Sequence, residues 1–155
     1  MSSPGGRAVT NDGGDFAHRQ RVAPQYQLMA LARSRTLLLV ILAALQVVVA
    51  VVASVFSESG FGTVAAHCTA TAIAVISVRI GVMKRAHLFL SSSLALAVVS
   101  ALLYVLAWHS GDFHFRSNKV HLLSLVSLHG GALISAAAAS IAWQVRASLD
   151  LAKRH

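Results

Sequence analysis

The sequence predicts an all-α protein, a bundle of four antiparallel transmembrane helices with both termini in the cytosol. Its 155 residues are 56% hydrophobic and only 12% charged, whereas about a quarter of the residues of a soluble domain are charged. Four uncharged or nearly uncharged stretches are each long enough to cross a bilayer. Eleven of the thirteen lysines and arginines then fall on one side of the membrane, which is the charge distribution of the positive-inside rule.

The first span is predicted at residues 36–56, TLLLVILAALQVVVAVVASVF, in which Gln46 is the only strongly polar side chain. A helix of this length reaches about 30 Å, the thickness of the hydrocarbon core. Residues 1–35 are rich in glycine, serine and arginine at the start, and they are predicted to form a polar, disordered cytosolic tail. Within that tail, residues 26–32 are able to form a short helix against an anionic membrane surface.

The remaining spans follow at short intervals, and the connections decide the orientation. They are predicted at residues 61–82, 88–108 and 120–145, before a short basic tail at 147–155. The loop after the second span is basic. The two loops on the other side contain only two lysine or arginine residues, Arg116 and Lys119. The sequence therefore predicts four crossings, with the bundle at residues 36–146.

Small residues at a spacing of four predict how the helices pack. Hydrophobic burial does not drive helix association in lipid, so close contact and interhelical hydrogen bonds must. The predicted packing positions are Gly62, Ala66, Ala70 and Ala74 in the second span, Ser93, Ala97 and Ala101 in the third, and Ser127, Gly131, Ser135 and Ala139 in the fourth. Gln46 is expected to bond to a hydroxyl or a backbone carbonyl of a neighbouring helix, because an unpaired amide is costly in hydrocarbon.

Histidines are the unusual feature of the spans. His67 and His129 are predicted to lie in the outer half of the second and fourth spans, with His109, His114 and His121 near the outer mouth. Imidazoles on facing helices can ligate haem iron or another metal. The alternatives are hydrogen bonding to a serine or a carbonyl, and pH-sensitive gating.

The absent features argue against catalysis. The glycines match no phosphate-binding loop, and no nucleophile motif is present. No span contains an acidic residue, which argues against a proton-coupled or cation-coupled carrier. The single cysteine, Cys68, excludes an intramolecular disulfide and is interpreted as a small apolar residue. We therefore expect a protein that is not an enzyme, has no cofactor and does not bind nucleic acid.

One segment resembles a known family. Residues 77–94, SVRIGVMKRAHLFLSSSL, and residues 42–46, LAALQ, are similar to the membrane-spanning four-domains (B-cell-marker-like) family of four-pass membrane proteins. The resemblance covers roughly residues 36–106 and implies a non-enzymatic, often oligomeric protein that associates with receptors or channels. The chain departs from that family in lacking cysteines before the fourth span and in its short C-terminal tail.

Three functions remain open from the sequence. The first is a multi-pass membrane adaptor or accessory subunit, which binds other membrane proteins or further copies of itself in the plasma membrane or an endomembrane. The second is a haem- or metal-binding redox protein that uses His67 and His129. The third is a small oligomeric channel or transporter subunit, for which the candidate pore-lining residues are Gln46, Thr69, Thr71, Ser124 and Ser127.

Overall fold

The computed structural model describes residues 12–56, 62–109 and 118–153, and all its regular structure there is helical. Its four helices are α1 (Asp12–Val55), α2 (Gly62–Lys84), α3 (His87–His109) and α4 (Asn118–Lys153). Each of the four contains a stretch that is long and apolar enough to cross a bilayer. The predicted all-α fold with four membrane-spanning helices is thus confirmed, and the chain is a multi-pass membrane protein.

Helix α1 is much longer than the predicted first span. It begins at Asp12 and runs without a break into the membrane-spanning part, whereas the sequence predicted a disordered tail up to residue 35. Met29 and Ala32 pack into the same buried cluster as Val145 and Leu149 of α4, so this part of the helix has a tertiary partner that local composition does not reveal. Residues 1–11 of the predicted tail lie outside the described part of the chain.

The four helices form a bundle in which one of the two diagonal pairs is in contact. Helices α2 and α4 contact each other and both remaining helices, whereas no close contact joins α1 to α3 within the described ranges. Helix α2 is accordingly the most enclosed of the four and α3 the least. The central position of α2 means that its side chains are the ones best placed to reach every other helix.

A two-residue turn joins α2 to α3. Arg85 has a φ of 51°, and the N–H of Ala86 donates to the carbonyl of Gly81 at 3.1 Å, which is the bonding pattern of a Schellman cap. The helices meet closely beyond this turn, because a Cβ built on Gly81 would lie 2.8 Å from Leu90 Cδ2. The turn therefore fixes the antiparallel α2–α3 pair.

The interior is divided into layers along the bundle axis. One buried apolar cluster, which includes Leu39, Val78 and Leu90, lies toward the α2–α3 turn. A second one, with Val64, Ala107 and Leu128, lies toward the other end. The buried polar side chains of Gln46, Thr71 and Ser100 lie between these two clusters along their helices. We call the end with the α2–α3 turn the basic end and the other the loop end.

Candidate functional site

The buried polar side chains form one feature that draws on all four helices. We call it the interior polar network, and its members are Gln46 of α1, His67, Cys68 and Thr71 of α2, Ser100 of α3, and Ser127 and Ser135 of α4. All seven side chains are buried. In a hydrocarbon environment each polar atom must find a protein partner, so the network sets the rotation of the helices relative to one another.

The first half of the network ties α1 to α2 and α4. Gln46 Nε2 donates to the backbone carbonyl of Ser127 at 3.0 Å and lies 3.4 Å from Cys68 Sγ. The thiol of Cys68 is in turn 3.1 Å from the hydroxyl of Ser127. Gln46 thus has a backbone carbonyl on a neighbouring helix as its partner, the kind of contact that its mid-membrane position requires.

The second half of the network is centred on His67. Its Nδ1 lies 2.9 Å from the hydroxyl and 2.8 Å from the carbonyl oxygen of Ser100, and its Nε2 lies 3.2 Å from the carbonyl of Leu128. A neutral imidazole has one N–H. With that proton on Nε2, the ring donates to Leu128 and accepts a hydrogen bond from the Ser100 hydroxyl. His67 therefore joins α2 to both α3 and α4.

Three hydroxyls complete this half of the network. Thr71, Ser100 and Ser135 come from three different helices, and each oxygen lies 2.9 Å from the other two. The single proton of Ser100 is donated to His67, so within this ring of three oxygens Thr71 can donate to Ser135 and Ser135 to Ser100, which gives every hydroxyl proton an acceptor. Such a ring needs the three helices at one fixed register.

Gly131 is the point at which the two halves meet on α4. A Cβ at this position would lie 2.5 Å from His67 Nε2 and closer still to Gln46 Nε2. Gly131 is buried, while the adjacent Gly130 has open space around it. The absence of a side chain at residue 131 is what allows Gln46 and His67 to reach the backbone of α4.

Two buried polar atoms have no hydrogen-bond partner within the described residues: Gln46 Oε1 and the hydroxyl oxygen of Ser124. Both side chains are almost completely inaccessible, at 5% and 0% exposure. An unpaired buried acceptor reduces stability. The amide of Gln46 therefore contributes through its NH₂ group alone.

The predicted packing positions divide into buried and exposed ones. Ala70, Gly131 and Ser135 are buried, as are Ala74, Ser93, Ala97 and Ser127, whereas Ala139 is half-buried and Gly62, Ala66 and Ala101 are exposed. Each i to i+4 step advances 40° around a helix, so four such residues turn through about 120°. A run of small residues at this spacing therefore need not stay at the interface: the α2 run starts exposed and ends buried, and the α3 run ends exposed.

His129 is placed differently from His67. It is exposed on α4, and its Nδ1 lies 3.0 Å from the hydroxyl of Tyr104. The Tyr104 ring packs against both histidines, with centroids 5.9 Å from His67 and 5.8 Å from His129. Trp108 extends this aromatic group, at 6.1 Å from His129. Both histidines thus contact the same tyrosine.

This placement gives no support to a metal or haem site on His67 and His129. Both ring nitrogens of His67 already face protein atoms, so ligation would break a bond of the network. No group of three or more potential metal ligands occurs among the described residues. His109 is exposed on α3, while His114 and the side chain of His121 lie outside the described part of the chain.

The pore-lining candidates are mostly inside a single bundle. Thr71, Ser124 and Ser127 are buried with Gln46, and Thr69 is exposed with its hydroxyl donating to the Ala65 carbonyl of its own helix. A pore between several copies would need these side chains on the outer surface. The arrangement favours a role in holding the bundle together.

Sequence reasoning did not identify the full network. Cys68 was interpreted as an apolar residue, yet its thiol contacts Ser127 and Gln46. Ser100 was given no role, although it bonds to residues of two other helices. The sequence signal that could have found it is a hydroxyl at mid-span in an otherwise apolar helix, at the depth of His67 and Thr71.

Comparison with known families adds a finding about the first part of the chain. Residues 1–64 match the family model Jagunal, described as ER re-organisation during oogenesis. The Jagunal match includes all of α1 and the connection to α2. It stops before the interior polar network residues of α2, α3 and α4.

The Jagunal match corrects the resemblance drawn from the sequence. The similarity to the membrane-spanning four-domains family is wrong, because the model that matches is that of a different family. The resemblance rested on a basic loop followed by a span that begins with leucines and serines. Inner loops between two membrane spans are generally basic, whatever the family. No curated protein and no solved structure matches the chain significantly.

Proposed function

We propose that this chain is a non-enzymatic protein of the endoplasmic reticulum membrane that acts by binding other membrane proteins through the outer surface of its bundle. The match of residues 1–64 to a family described by ER re-organisation is the observation that carries the proposal. It supports both the compartment and a role in membrane organisation.

The distribution of polar groups supports an adaptor more than an enzyme. Within the described residues, nearly all the donors and acceptors of the interior polar network form hydrogen bonds between helices. Its groups are buried, so a substrate would have to separate the helices to reach them. The surface is then the part of the molecule available for binding.

The exposed face of α1 is the surface that the proposal favours. Helix α1 lies at a corner of the bundle, and only 28% of its most apolar stretch is buried. Large side chains on this face are half or more exposed, namely Leu37, Leu38, Ile41, Leu45, Val48 and Val51. The same helix lies within the segment that matches the family.

The compartment is tested by imaging the tagged full-length protein together with markers of the endoplasmic reticulum and the plasma membrane. The proposal predicts overlap with the reticulum marker. Accumulation at the plasma membrane would contradict it.

The adaptor role is tested by site-specific photocrosslinking in cells. A photoreactive amino acid at Ile41, which is 58% exposed, is expected to give a covalent adduct with a protein. The same amino acid at the buried Ala43 is the control and should give none above background. Adducts of twice the chain mass would identify a second copy as the partner. Crosslinks to lipid alone at Ile41 would contradict an adaptor that binds through this face.

A further inference from the structure

The basic end of the bundle carries more positive charge than the described protein groups neutralise. Its cations are Arg33 and Arg35 of α1, Arg79 and Lys84 of α2, Arg85 of the turn and Arg146 of α4. Asp150 is the only acidic residue whose side chain the structure describes, and its carboxylate lies 3.6 Å from His87. A membrane-embedded surface with this imbalance attracts anions.

The best-defined part of this surface lies between α1 and α2. Arg79 Nη1 donates to the backbone carbonyl of Arg33 at 2.6 Å and to the hydroxyl of Thr36 at 3.2 Å. These bonds hold the guanidinium of α2 at the level of Arg33, whose own side chain is exposed. Both use Nη1, and no further bond of Arg79 joins it to the described residues, so its other guanidinium N–H groups can reach a further acceptor.

The surface next to these two arginines is apolar on the membrane side. Leu37 lies one turn deeper than Arg33 on α1, and Ile76 lies one turn deeper than Arg79 on α2. Their side chains are 50% and 51% exposed. Two cations at the membrane surface above two exposed aliphatic side chains match the order of groups in a phospholipid, with the phosphate outside and the acyl chains inside.

We propose that Arg33 and Arg79 bind the phosphate of an anionic phospholipid of the surrounding bilayer, with its acyl chains against Leu37 and Ile76. A guanidinium presents paired N–H donors that fit phosphate oxygens, and two guanidiniums on neighbouring helices can hold one phosphate between them. The inference does not rest on the proposed adaptor role: it shares Leu37 with the exposed face of α1, but its ligand is a lipid and the groups that bind it are Arg33 and Arg79.

Native mass spectrometry of the full-length protein in a mild detergent tests this site. The chain is titrated with phosphatidylglycerol and, separately, with phosphatidylcholine. The proposal predicts that phosphatidylglycerol binds more tightly than phosphatidylcholine. It also predicts that the affinity for phosphatidylglycerol falls about fivefold when either cation is removed, in Arg33→Gln or Arg79→Gln. Lys84→Gln removes the same charge at the α2–α3 turn and is the matched control, which should keep the wild-type affinity.

Arg33→Gln keeps the backbone carbonyl that Arg79 contacts, so it decides the test if Arg79→Gln does not fold. Equal binding of the two lipids would overturn the proposal. An equal loss in Lys84→Gln would show diffuse charge attraction in place of a site, and would overturn it too. Displacement of the lipid by millimolar glycerol phosphate would assign the site to a soluble phosphate, against the proposal.

Discussion

At the scale of single residues, Gly131 has the least space for a side chain among the glycines whose surroundings the structure describes. Two polar side chains from different helices approach its Cα, and both ends of the interior polar network depend on that approach. The preceding residue, Gly130, is also a glycine in the same helix but has open space around it. This adjacent pair separates the effect of the contact from the general effect of glycine on helix stability.

Gly131→Ala is expected to lower the stability of the folded protein by about 1–3 kcal/mol, as overpacking of a tight interior does. The added methyl group would displace Gln46 and His67 and break their bonds to the carbonyls of Ser127 and Leu128. Gly130→Ala should be neutral or stabilising by up to about 1 kcal/mol, because alanine favours the helix. Thermal unfolding in mild detergent measures both, and equal effects of the two substitutions would contradict the proposed contact.

Two threonines of α2 offer a second residue-scale comparison. Thr71 bonds to hydroxyls of α3 and α4, whereas Thr69 bonds only to its own helix. Replacement by valine keeps the shape and removes the hydroxyl. Interhelical hydrogen bonds in membranes average about 0.6 kcal/mol, so Thr71→Val should cost about 1 kcal/mol and Thr69→Val close to nothing. Unfolding of the two variants under the same conditions checks this, and a Thr71→Val protein as stable as the wild type would be inconsistent with the hydroxyl ring.

At the scale of elements, the α2–α3 pair is fixed by a turn of two residues, Arg85 and Ala86. Arg85 has a left-handed conformation that costs a residue with a side chain about 1–2 kcal/mol. The cap bond from Ala86 to Gly81 and the close approach of Leu90 hold it there. Arginine thus occupies a position whose backbone conformation glycine would adopt at a lower energetic cost.

Arg85→Gly is therefore expected to raise stability, by up to about 1 kcal/mol. Lys84→Gly removes the same charge one residue earlier, at the last residue of α2, and should lower stability by less than the cost of an interior helical glycine, which is about 1 kcal/mol. The two variants thus change stability in opposite directions, as measured by chemical or thermal unfolding in detergent. A destabilised Arg85→Gly protein would refute the role assigned to this turn.

Helix α1 shows why an element can differ from its sequence pattern. Hydropathy marks the part of a helix inside lipid and does not mark where the helix starts. Once the apolar segment is helical, each further residue adds a hydrogen bond without a new nucleation cost. Met29 and Ala32 then gain a packing partner in α4, and the helix continues back to Asp12.

At the scale of the whole molecule, the four-span fold could be predicted because it depends on composition, length and charge, which are local properties of the sequence. The interior polar network could be predicted only in part. Gln46, Gly131 and Ser135 were identified from their type and spacing, whereas Ser100 was not. A buried serine such as Ser100 and an exposed one such as Ser140 look alike in the sequence, because the rotation of each helix is set by its neighbours.

The similarity to the Jagunal family model could not be inferred from residues 77–94, since that segment reflects what any inner loop and span require. The match covers residues 1–64 instead. The orientation, with both termini in the cytosol, remains a prediction from the distribution of lysine and arginine. It requires that both termini and the α2–α3 turn lie on one side of the membrane.

The most direct test of this account is cysteine labelling in sealed vesicles with a membrane-impermeant maleimide. Cys68→Ala removes the only native cysteine, and single cysteines are then placed at Ser3, Lys84, Lys153, Ser59 and Ser117. With the cytosolic side outward, we predict labelling at residues 3, 84 and 153, and labelling at 59 and 117 only after permeabilisation. Labelling of residues 3 and 153 on opposite sides would contradict the four-span bundle.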